Sequence, residues 1–306
     1  MGVASHNASP CVIGRVVALD ALTGAIVWRF NTIDQTSCPF GTCMGGGVWS
    51  SPAIDTLFGI LYVGTGNPGQ GCSPSSDNAT RYPNGILGLD LASGALKSFY
   101  QVFPNDPGDL GDVGASPVLH QTEIRDQCSS FSQVFQWLTV PSKNGVVHTA
   151  RRGSNGIIGT PLSIPLNSGD TIASPAVLPF QQTQPCGFGG TQIFQSANDI
   201  FVPSFNGFLF GIRQDSTGTT GIRWQRLVRA CPDTNPCPLL SAPAVVTDLI
   251  FFGGGEGNVH AATTDGALVW SFGTAGLVAS GPAISHDTVY FGSYDGFLYA
   301  LSLDGQ

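Results

Sequence analysis

The sequence predicts an all-β propeller. One short phrase, Gly-x-apolar-x-small-apolar, occurs six times, beginning at Gly14, Gly85, Gly145, Gly207, Gly257 and Gly296. A second marker, a small residue followed by Pro and then Ala or Val, occurs between the copies at Pro52, Pro117, Pro175, Pro243 and Pro282. A unit repeated at this size indicates supersecondary units that share one core. Helical spacing of apolar residues is missing over any long window, and 41 glycines with 21 prolines are typical of a turn-dense β-chain.

The shortest interval, from Gly257 to Gly296, shows the bare unit. Its 39 residues hold four short runs rich in β-branched and aromatic residues, around Trp270, Pro282, Tyr290 and Tyr299. Four strands in about 40 residues is the size of one propeller blade. The proline marker opens the second of these four runs.

The same unit predicts the blades in the earlier part of the chain. The earlier intervals are 71, 60, 62 and 50 residues long, so each is predicted to hold one blade with loop insertions. We therefore expect about six blades in a single domain over residues 1–306. A two-sheet sandwich is the alternative, but it does not need one phrase six times.

Composition narrows the function classes. The formal net charge is −8, which argues against nucleic-acid partners and anionic membrane surfaces. The sequence contains no run of 18 apolar residues, so it predicts no transmembrane helix. The sequence before the first blade lacks a signal peptide, so we expect an N-terminal part to be missing from the chain.

Eight cysteines indicate an oxidising compartment. The close pairs Cys38/Cys43 and Cys231/Cys237 are predicted to be disulfides that staple proline-containing loops. A zinc site would need Cys and His clustered at short spacing, which the sequence does not show. Two Asn-x-Ser/Thr sequons, at Asn7 and Asn78, matter only if the protein is exported through a glycosylating pathway.

The least repeat-like segment runs from Cys43 to Asp112 and carries the candidate site. Three glycines precede Trp49, whose ring could face a planar ligand. Asn67 lies in Gly-Thr-Gly-Asn-Pro, a turn that could aim an amide oxygen at a hard cation. Asp109 and Asp112 lie on a Gly-rich loop where a carboxylate could act as a base or a metal ligand. Taken singly, each has a plain reading as core packing, a turn or a solvated loop.

Together these motifs resemble the quinoprotein alcohol dehydrogenases, propeller enzymes that use pyrroloquinoline quinone (PQQ). In that family a Trp after a run of glycines lies under the quinone, and Trp49 matches it one residue closer to the glycines. Asn67, 18 residues later, matches a calcium ligand. Asp112 matches the catalytic base and a metal ligand, with Asp109 as the competing register. Lys143 matches a basic residue that contacts the quinone oxygens.

The resemblance implies PQQ-dependent oxidation of an alcohol, with PQQ and calcium as cofactors. It also implies a periplasmic or extracellular location. No Cys-x-x-Cys-His haem motif occurs, so electrons would leave to a separate acceptor.

Three differences from the family weaken the enzyme interpretation. The stretch from Ser5 to Cys11 has no acid where the family has a calcium-binding Glu. The family's adjacent cysteine pair is absent, and its propeller has eight blades. We therefore expect this chain alone to bind quinone weakly. The alternatives are a non-catalytic propeller that serves as a binding or assembly scaffold, and a glycan-binding propeller, which would need one exposed aromatic residue at a common position in each blade.

Overall fold

The structure is a computed structural model. It describes residues 1–3, 13–33, 45–67, 82–104, 110–126, 131–167, 169–185, 192–218, 220–228 and 237–302. Within these ranges the regular elements are 22 strands and no helix. The chain forms two compact units, one of Met1–Leu119 with Leu138–Ser163 and the other of His120–Trp137 with Ile164–Gln306.

The first strands form antiparallel sheets between neighbours in sequence. A three-stranded sheet contains β1 (Gly2–Val3), β2 (Arg15–Leu19) and β3 (Ile26–Asn31). A four-stranded sheet contains β4 (Ala53–Asp55), β5 (Ile60–Thr65), β6 (Gly85–Asp90) and β7 (Leu96–Gln101). The next four strands are again neighbours in order, and their residues are divided between the units: β8 (Val118–Asp126), β9 (Phe131–Ser142), β10 (Val146–Gly153) and β11 (Gly156–Pro165).

The second unit continues the pattern. One group of neighbours is β12 (Ala176–Pro185), β13 (Gln192–Pro203), β14 (Phe208–Gln214) and β15 (Thr220–Leu227). Another is β16 (Ala244–Val246), β17 (Leu249–Gly253), β18 (Asn258–Thr263) and β19 (Leu268–Gly273). The last is β20 (Ala283–Ser285), β21 (Thr288–Gly292) and β22 (Leu298–Ser302). The described residues thus contain six antiparallel meanders, as the six phrases predict, but they form five sheets, because β8 also pairs with β13 and joins the third and fourth meanders into one eight-stranded sheet.

Each copy of the phrase builds the corresponding strand of its meander, namely β2, β6, β10, β14, β18 and β22. Before four of these strands the phrase glycine has a positive φ, for example 73° at Gly145 and 92° at Gly257. Before β6 the left-handed residue is Asn84, with φ 49°, and not Gly85. In the second copy, Asn84 therefore takes the place that the phrase glycine has in the other copies, so this copy begins one residue before Gly85. Asn can fill this place because it tolerates the left-handed conformation better than most other side chains.

The position of the proline marker in the structure differs from the predicted one: it precedes the first strand of a meander and not the second. The residue after each marker proline begins the first strand of a meander, as Ala53 begins β4 and Ala283 begins β20. The run around Trp270 is β19, which pairs with β18 and so closes the preceding sheet. The predicted unit therefore has the right strands, but its sheet boundary lies one strand later.

Apolar side chains from successive meanders form the cores of each unit. In the first unit one cluster joins the first two meanders and a second joins meanders two and three. In the second unit, one cluster joins meanders four and five and another joins five and six. Because neighbouring meanders within each unit bury side chains against one another, the core of each unit follows the order of its repeats.

Two observations bear on the compartment predictions. Cys237 is buried and disulfide-bonded, but Cys231, Cys38 and Cys43 lie outside the described residues, so the two predicted pairings stay predictions. The sequons at Asn7 and Asn78 also lie outside them. In the part of the chain that the structure describes, no helix is long and apolar enough to cross a membrane.

Candidate functional site

Four predicted site residues converge within the first unit. The backbone N–H of Asn67 donates to Oδ1 of Asp112 at 2.5 Å, and the backbone N–H of Lys143 donates to the carbonyl oxygen of Asp112 at 2.7 Å. Trp49 lies beside the same carboxylate, because a Cβ built on Gly66 would lie 2.8 Å from Cζ3 of Trp49 and 3.1 Å from Oδ1 of Asp112. The fifth candidate, Asp109, lies outside the described residues.

The glycine run before Trp49 brings two chain segments side by side. Gly46 donates its N–H to the carbonyl of Asn67, and Gly66 donates to the carbonyl of Gly47, both at 2.9 Å. Gly45 and Gly46 have φ of 119° and 59°, which other residues adopt at a steric cost. These glycines therefore hold the Trp49 segment against the turn that carries Asn67.

The indole of Trp49 packs on glycine backbone. A Cβ built on Gly66 would lie 2.8 Å from its Cζ3, and one built on Gly114 would lie 2.6 Å from its Nε1. Any side chain at either position would displace the ring. The residue nevertheless keeps 50% of its surface exposed. The ring is thus supported by backbone and leaves apolar surface for a flat ligand.

Asp112 is buried, with 2% exposure, and its backbone is fixed where the turn enters the next meander. The following residue, Val113, donates its N–H to the carbonyl of Thr65 at 3.2 Å. A buried carboxylate held by a backbone N–H keeps one orientation, which a general base needs.

Lys143 lies in the turn between β9 and β10. Gly145 closes this turn by donating its N–H to the carbonyl of Ser142 at 3.0 Å. The side chain of Lys143 is half-buried. The turn therefore fixes the backbone of Lys143 against the backbone of Asp112.

These residues differ in how well they fit the two groups that the resemblance implies. The Trp49 surface over Gly66 and Gly114 fits a planar quinone. The described residues contain no group of three or more His, Cys, Asp or Glu side chains placed to hold a metal. Calcium takes six to eight oxygen ligands, so one carboxylate and one amide, from Asp112 and Asn67, make only part of a calcium site.

Sequence reasoning missed a buried polar network next to Lys143. The Oγ of Ser142 lies 2.9 Å from Nε2 of His148, and Nδ1 of His148 lies 3.0 Å from Oγ of Ser163. His148 is 2% exposed, and burial lowers its pKa to about 4. The signal was present, since His148 and His260 occupy the same place in two copies of the phrase.

Sequence reasoning also missed a buried ion pair in the same unit. Arg152 on β10 hydrogen-bonds Oδ2 of Asp55, and their side chains are 7% and 2% exposed. Oδ1 of Asp55 accepts backbone N–H groups from Leu57 and Phe58 at 3.1 and 3.2 Å. The pair ties the β4–β5 turn to the third meander, but neither residue belongs to a recognisable motif.

Comparison with known families supports the same fold. Residues 3–155, half of the chain, match the family "Glucose/ethanol/alcohol dehydrogenase, beta-propeller domain". Residues 213–306 match the family "Outer membrane protein assembly factor BamB". The predicted all-β propeller class is confirmed.

Individual relatives resemble the chain at low identity. A polyvinylalcohol dehydrogenase from Pseudomonas sp is 26% identical over 86% of this chain, which spans 42% of that protein. A quinohemoprotein alcohol dehydrogenase from Pseudomonas putida HK5 has a TM-score of 0.59 at 17% identity, covering 98% of this chain and 53% of its own. BamB from Moraxella catarrhalis has a TM-score of 0.57 at 15% identity, covering 95% and 69%. The chain therefore spans less than half the length of the polyvinylalcohol dehydrogenase and about half that of the quinohemoprotein.

Proposed function

The chain belongs to the glucose/ethanol/alcohol dehydrogenase β-propeller family, and on this premise we propose that it takes part in PQQ-dependent oxidation of an alcohol. The observation that carries the proposal is the convergence of Trp49, Asn67, Asp112 and Lys143 within one unit. These positions lie far apart in sequence, and a site exists only where such residues meet.

Each side chain has a role that its surroundings support. The exposed surface of Trp49 holds the plane of the quinone. Asp112 is the general base that accepts the proton of the substrate hydroxyl, since its carboxylate is buried and oriented by the N–H of Asn67. Lys143, whose backbone N–H is bonded to the carbonyl of Asp112, provides a positive charge that stabilises negative charge developing on the bound group. When bound, the quinone supplies the two-electron acceptor that the protein itself lacks.

We also propose that the site binds calcium. Asn67 and Asp112 are its proposed ligands, and a hard cation would choose such oxygens. The described residues provide only part of a calcium site, so further oxygen ligands would have to complete it. We also propose that this chain alone binds quinone weakly, since it has no acid between Ser5 and Cys11.

The proposed partners follow from the same chemistry. The substrate is a small alcohol, and the electrons leave to a separate acceptor. We place the reaction in the periplasm or outside the cell, where the disulfide of Cys237 persists.

The test is reconstitution of the full chain with PQQ and calcium, followed by dye-linked oxidation of primary and secondary alcohols. Asp112→Asn should lower turnover at least about 100-fold, the usual share of a general base. Asp109→Asn is the matched control and should retain activity. The reverse result would move the base to Asp109, and PQQ binding without turnover of any alcohol would defeat the enzymatic proposal.

A second candidate function is a non-catalytic scaffold. The match of residues 213–306 to the BamB family favours it, because that stretch belongs to the second unit, whereas Trp49 and Asp112 belong to the first. The two candidates differ in one simple measurement. A scaffold does not bind PQQ, so equilibrium dialysis with PQQ and calcium separates them before any activity is measured.

A further inference from the structure

We propose that Ser271, His260 and Glu256 form a hydrolytic triad that cleaves short carboxylic esters. All three residues lie in the second unit, and none belongs to the candidate quinone site. The proposal therefore stands or falls independently of alcohol oxidation.

The three side chains form one hydrogen-bonded chain. Nδ1 of His260 lies 2.7 Å from Oγ of Ser271, and Nε2 of His260 hydrogen-bonds Oε1 of Glu256. The side chains of His260 and Glu256 are 4% and 7% exposed, whereas Ser271 is exposed to solvent. A nucleophile open to substrate, a buried imidazole and a buried carboxylate are the parts that such a site requires.

The local sequence builds this arrangement. Glu256 precedes His260 by four residues, across the turn that leads into β18. A Cβ on Gly254 would lie 2.2 Å from Oε2 of Glu256, so the carboxylate occupies space that only glycine leaves open. The imidazole packs against the ring of Phe252, with centroids 5.4 Å apart. These contacts hold His260 in one orientation.

Strand register places Ser271 opposite His260 on β19. The N–H of Thr274 donates to the carbonyl of Gly257 at 2.8 Å, and pair types alternate along an antiparallel ladder. Three positions further on, Ser271 and His260 are therefore a non-hydrogen-bonded pair, the type in which side chains lie closest. In such a pair the N–H of Ser271 faces away from β18, at the edge of the sheet. That N–H is a donor for the oxyanion that forms when Oγ attacks a carbonyl.

The reaction balances without any cofactor. With Glu256 ionised, Nε2 of His260 carries the proton donated to Oε1, and Nδ1 accepts the proton of Ser271. Oγ bonds to the ester carbonyl carbon, the alcohol leaves with the proton from Nδ1, and an acyl-serine remains. Water then attacks the acyl carbon and gives one proton to Nδ1. The bond from this carbon to Oγ breaks, Oγ takes the proton back from Nδ1, and the carboxylic acid and the free serine are released.

The first unit contains a natural control. His148 has the same place in its phrase as His260, and its Nδ1 lies 3.0 Å from Oγ of the exposed Ser163. Its Nε2 faces the hydroxyl of Ser142 at 2.9 Å, where His260 faces a carboxylate. Without a carboxylate to stabilise the imidazolium, Ser163 should not be activated.

The experiment uses the full chain without PQQ or calcium. Hydrolysis of 4-nitrophenyl acetate is followed, and a fluorophosphonate probe is added with its site located by mass spectrometry. We expect labelling at Ser271 and not at Ser163. Ser271→Ala should lower hydrolysis at least about 100-fold, Glu256→Gln should also lower it, and Ser163→Ala should leave it unchanged.

Two results would overturn the triad. One is equal labelling of Ser163 and Ser271, or labelling of neither. The other is hydrolysis by Ser271→Ala at the parent rate. Because Ser271 is exposed, its replacement leaves no cavity, and circular dichroism verifies the fold. Labelling of the unmodified chain decides the question even if a variant is unstable.

Discussion

Two tryptophans of the first unit, Trp28 and Trp49, differ in every contact that matters. Trp28 pairs with Ala18 on β2, is 9% exposed, and donates its Nε1 hydrogen to the carbonyl of Leu91 at 3.1 Å. Trp49 rests on glycine backbone and is 50% exposed. The first indole is built into a core, and the second is left accessible.

Position in the repeat explains the difference. Trp224 in the second unit repeats the Trp28 arrangement, since it faces Gly211 across the sheet and donates to the carbonyl of Thr264 at 2.9 Å. Trp49 precedes the first strand of its sheet and has no such counterpart. The tryptophan that recurs with the repeat is thus packed into the fold, whereas the tryptophan outside the repeat is free to serve a site.

The largest effect should come from removing Trp28. Trp28→Ala should lower the free energy of unfolding by about 3–5 kcal/mol, because it leaves a cavity in the cluster with Leu89 and Val63. Trp49→Ala should cost less than about 1 kcal/mol, since half of its surface is already in water. Urea unfolding followed by circular dichroism measures both. Equal losses would remove the distinction between the two residues.

His148 tests whether a polar residue at a repeat position is also structural. Burial lowers the pKa of His148 to about 4, below the value of about 6.5 of an unfolded chain. Between these values the unfolded state binds more protons, so stability is fully present above about pH 6.5 and falls as pH drops towards 4.

The size of this effect is open to measurement. The parent should lose roughly 2–3 kcal/mol of unfolding free energy from this group between pH 7.5 and 4.5. His148→Gln should be less stable at pH 7.5, but its stability should fall less over that interval. The comparison between the two proteins cancels the titration of all other groups. Parallel curves for the two would show that His148 is not held neutral.

The sequence predicts the strands that belong to the repeated phrase, but it does not predict the elements and contacts outside it. The phrase predicts β2, β6, β10, β14, β18 and β22, because alternating apolar residues after a left-handed turn have one stable arrangement. It misplaces the second copy by one residue, since Asn84 takes the left-handed position there. It cannot predict the long β8 and β9 or the Asp55–Arg152 pair, because these depend on contacts distant in sequence.

The candidate site divides in the same way. Trp49, Asn67, Asp112 and Lys143 were found by resemblance, and the structure brings them together, while their roles stay proposals. Ser142, Ser163 and Ser271 carry no motif of their own. Only strand pairing places each serine beside its histidine, so sequence alone could not single them out.

Two glycines with the same backbone separate the contact with Trp28 from backbone strain. Gly24 and Gly94 close equivalent hairpins with φ of 71° and 72°. A Cβ on Gly94 would lie 2.5 Å from Cε3 of Trp28, whereas one on Gly24 would meet nothing within 4 Å.

Alanine at the two positions should therefore have different costs. Gly24→Ala should lower the unfolding free energy by about 1 kcal/mol through its left-handed backbone alone. Gly94→Ala should cost about 1–2 kcal/mol more, because its methyl group also displaces the indole. Thermal and urea unfolding give the difference directly. Equal costs would mean that Trp28 moves aside easily and is less firmly packed than its burial indicates.

The smallest effect should be the most informative about function. Aromatic stacking contributes about 0.5–1.5 kcal/mol beyond the area buried, so Trp49→Leu should weaken PQQ binding roughly threefold to tenfold. Leu keeps apolar bulk over Gly66 and Gly114 but has no flat face. Binding is measured by equilibrium dialysis with calcium present, and Trp28→Phe, which keeps a ring in the core, is the control for indirect effects. If Trp49→Leu binds PQQ as the parent does while its unfolding free energy falls by several kcal/mol, then Trp49 belongs to the fold like Trp28, and the quinone site must be sought elsewhere.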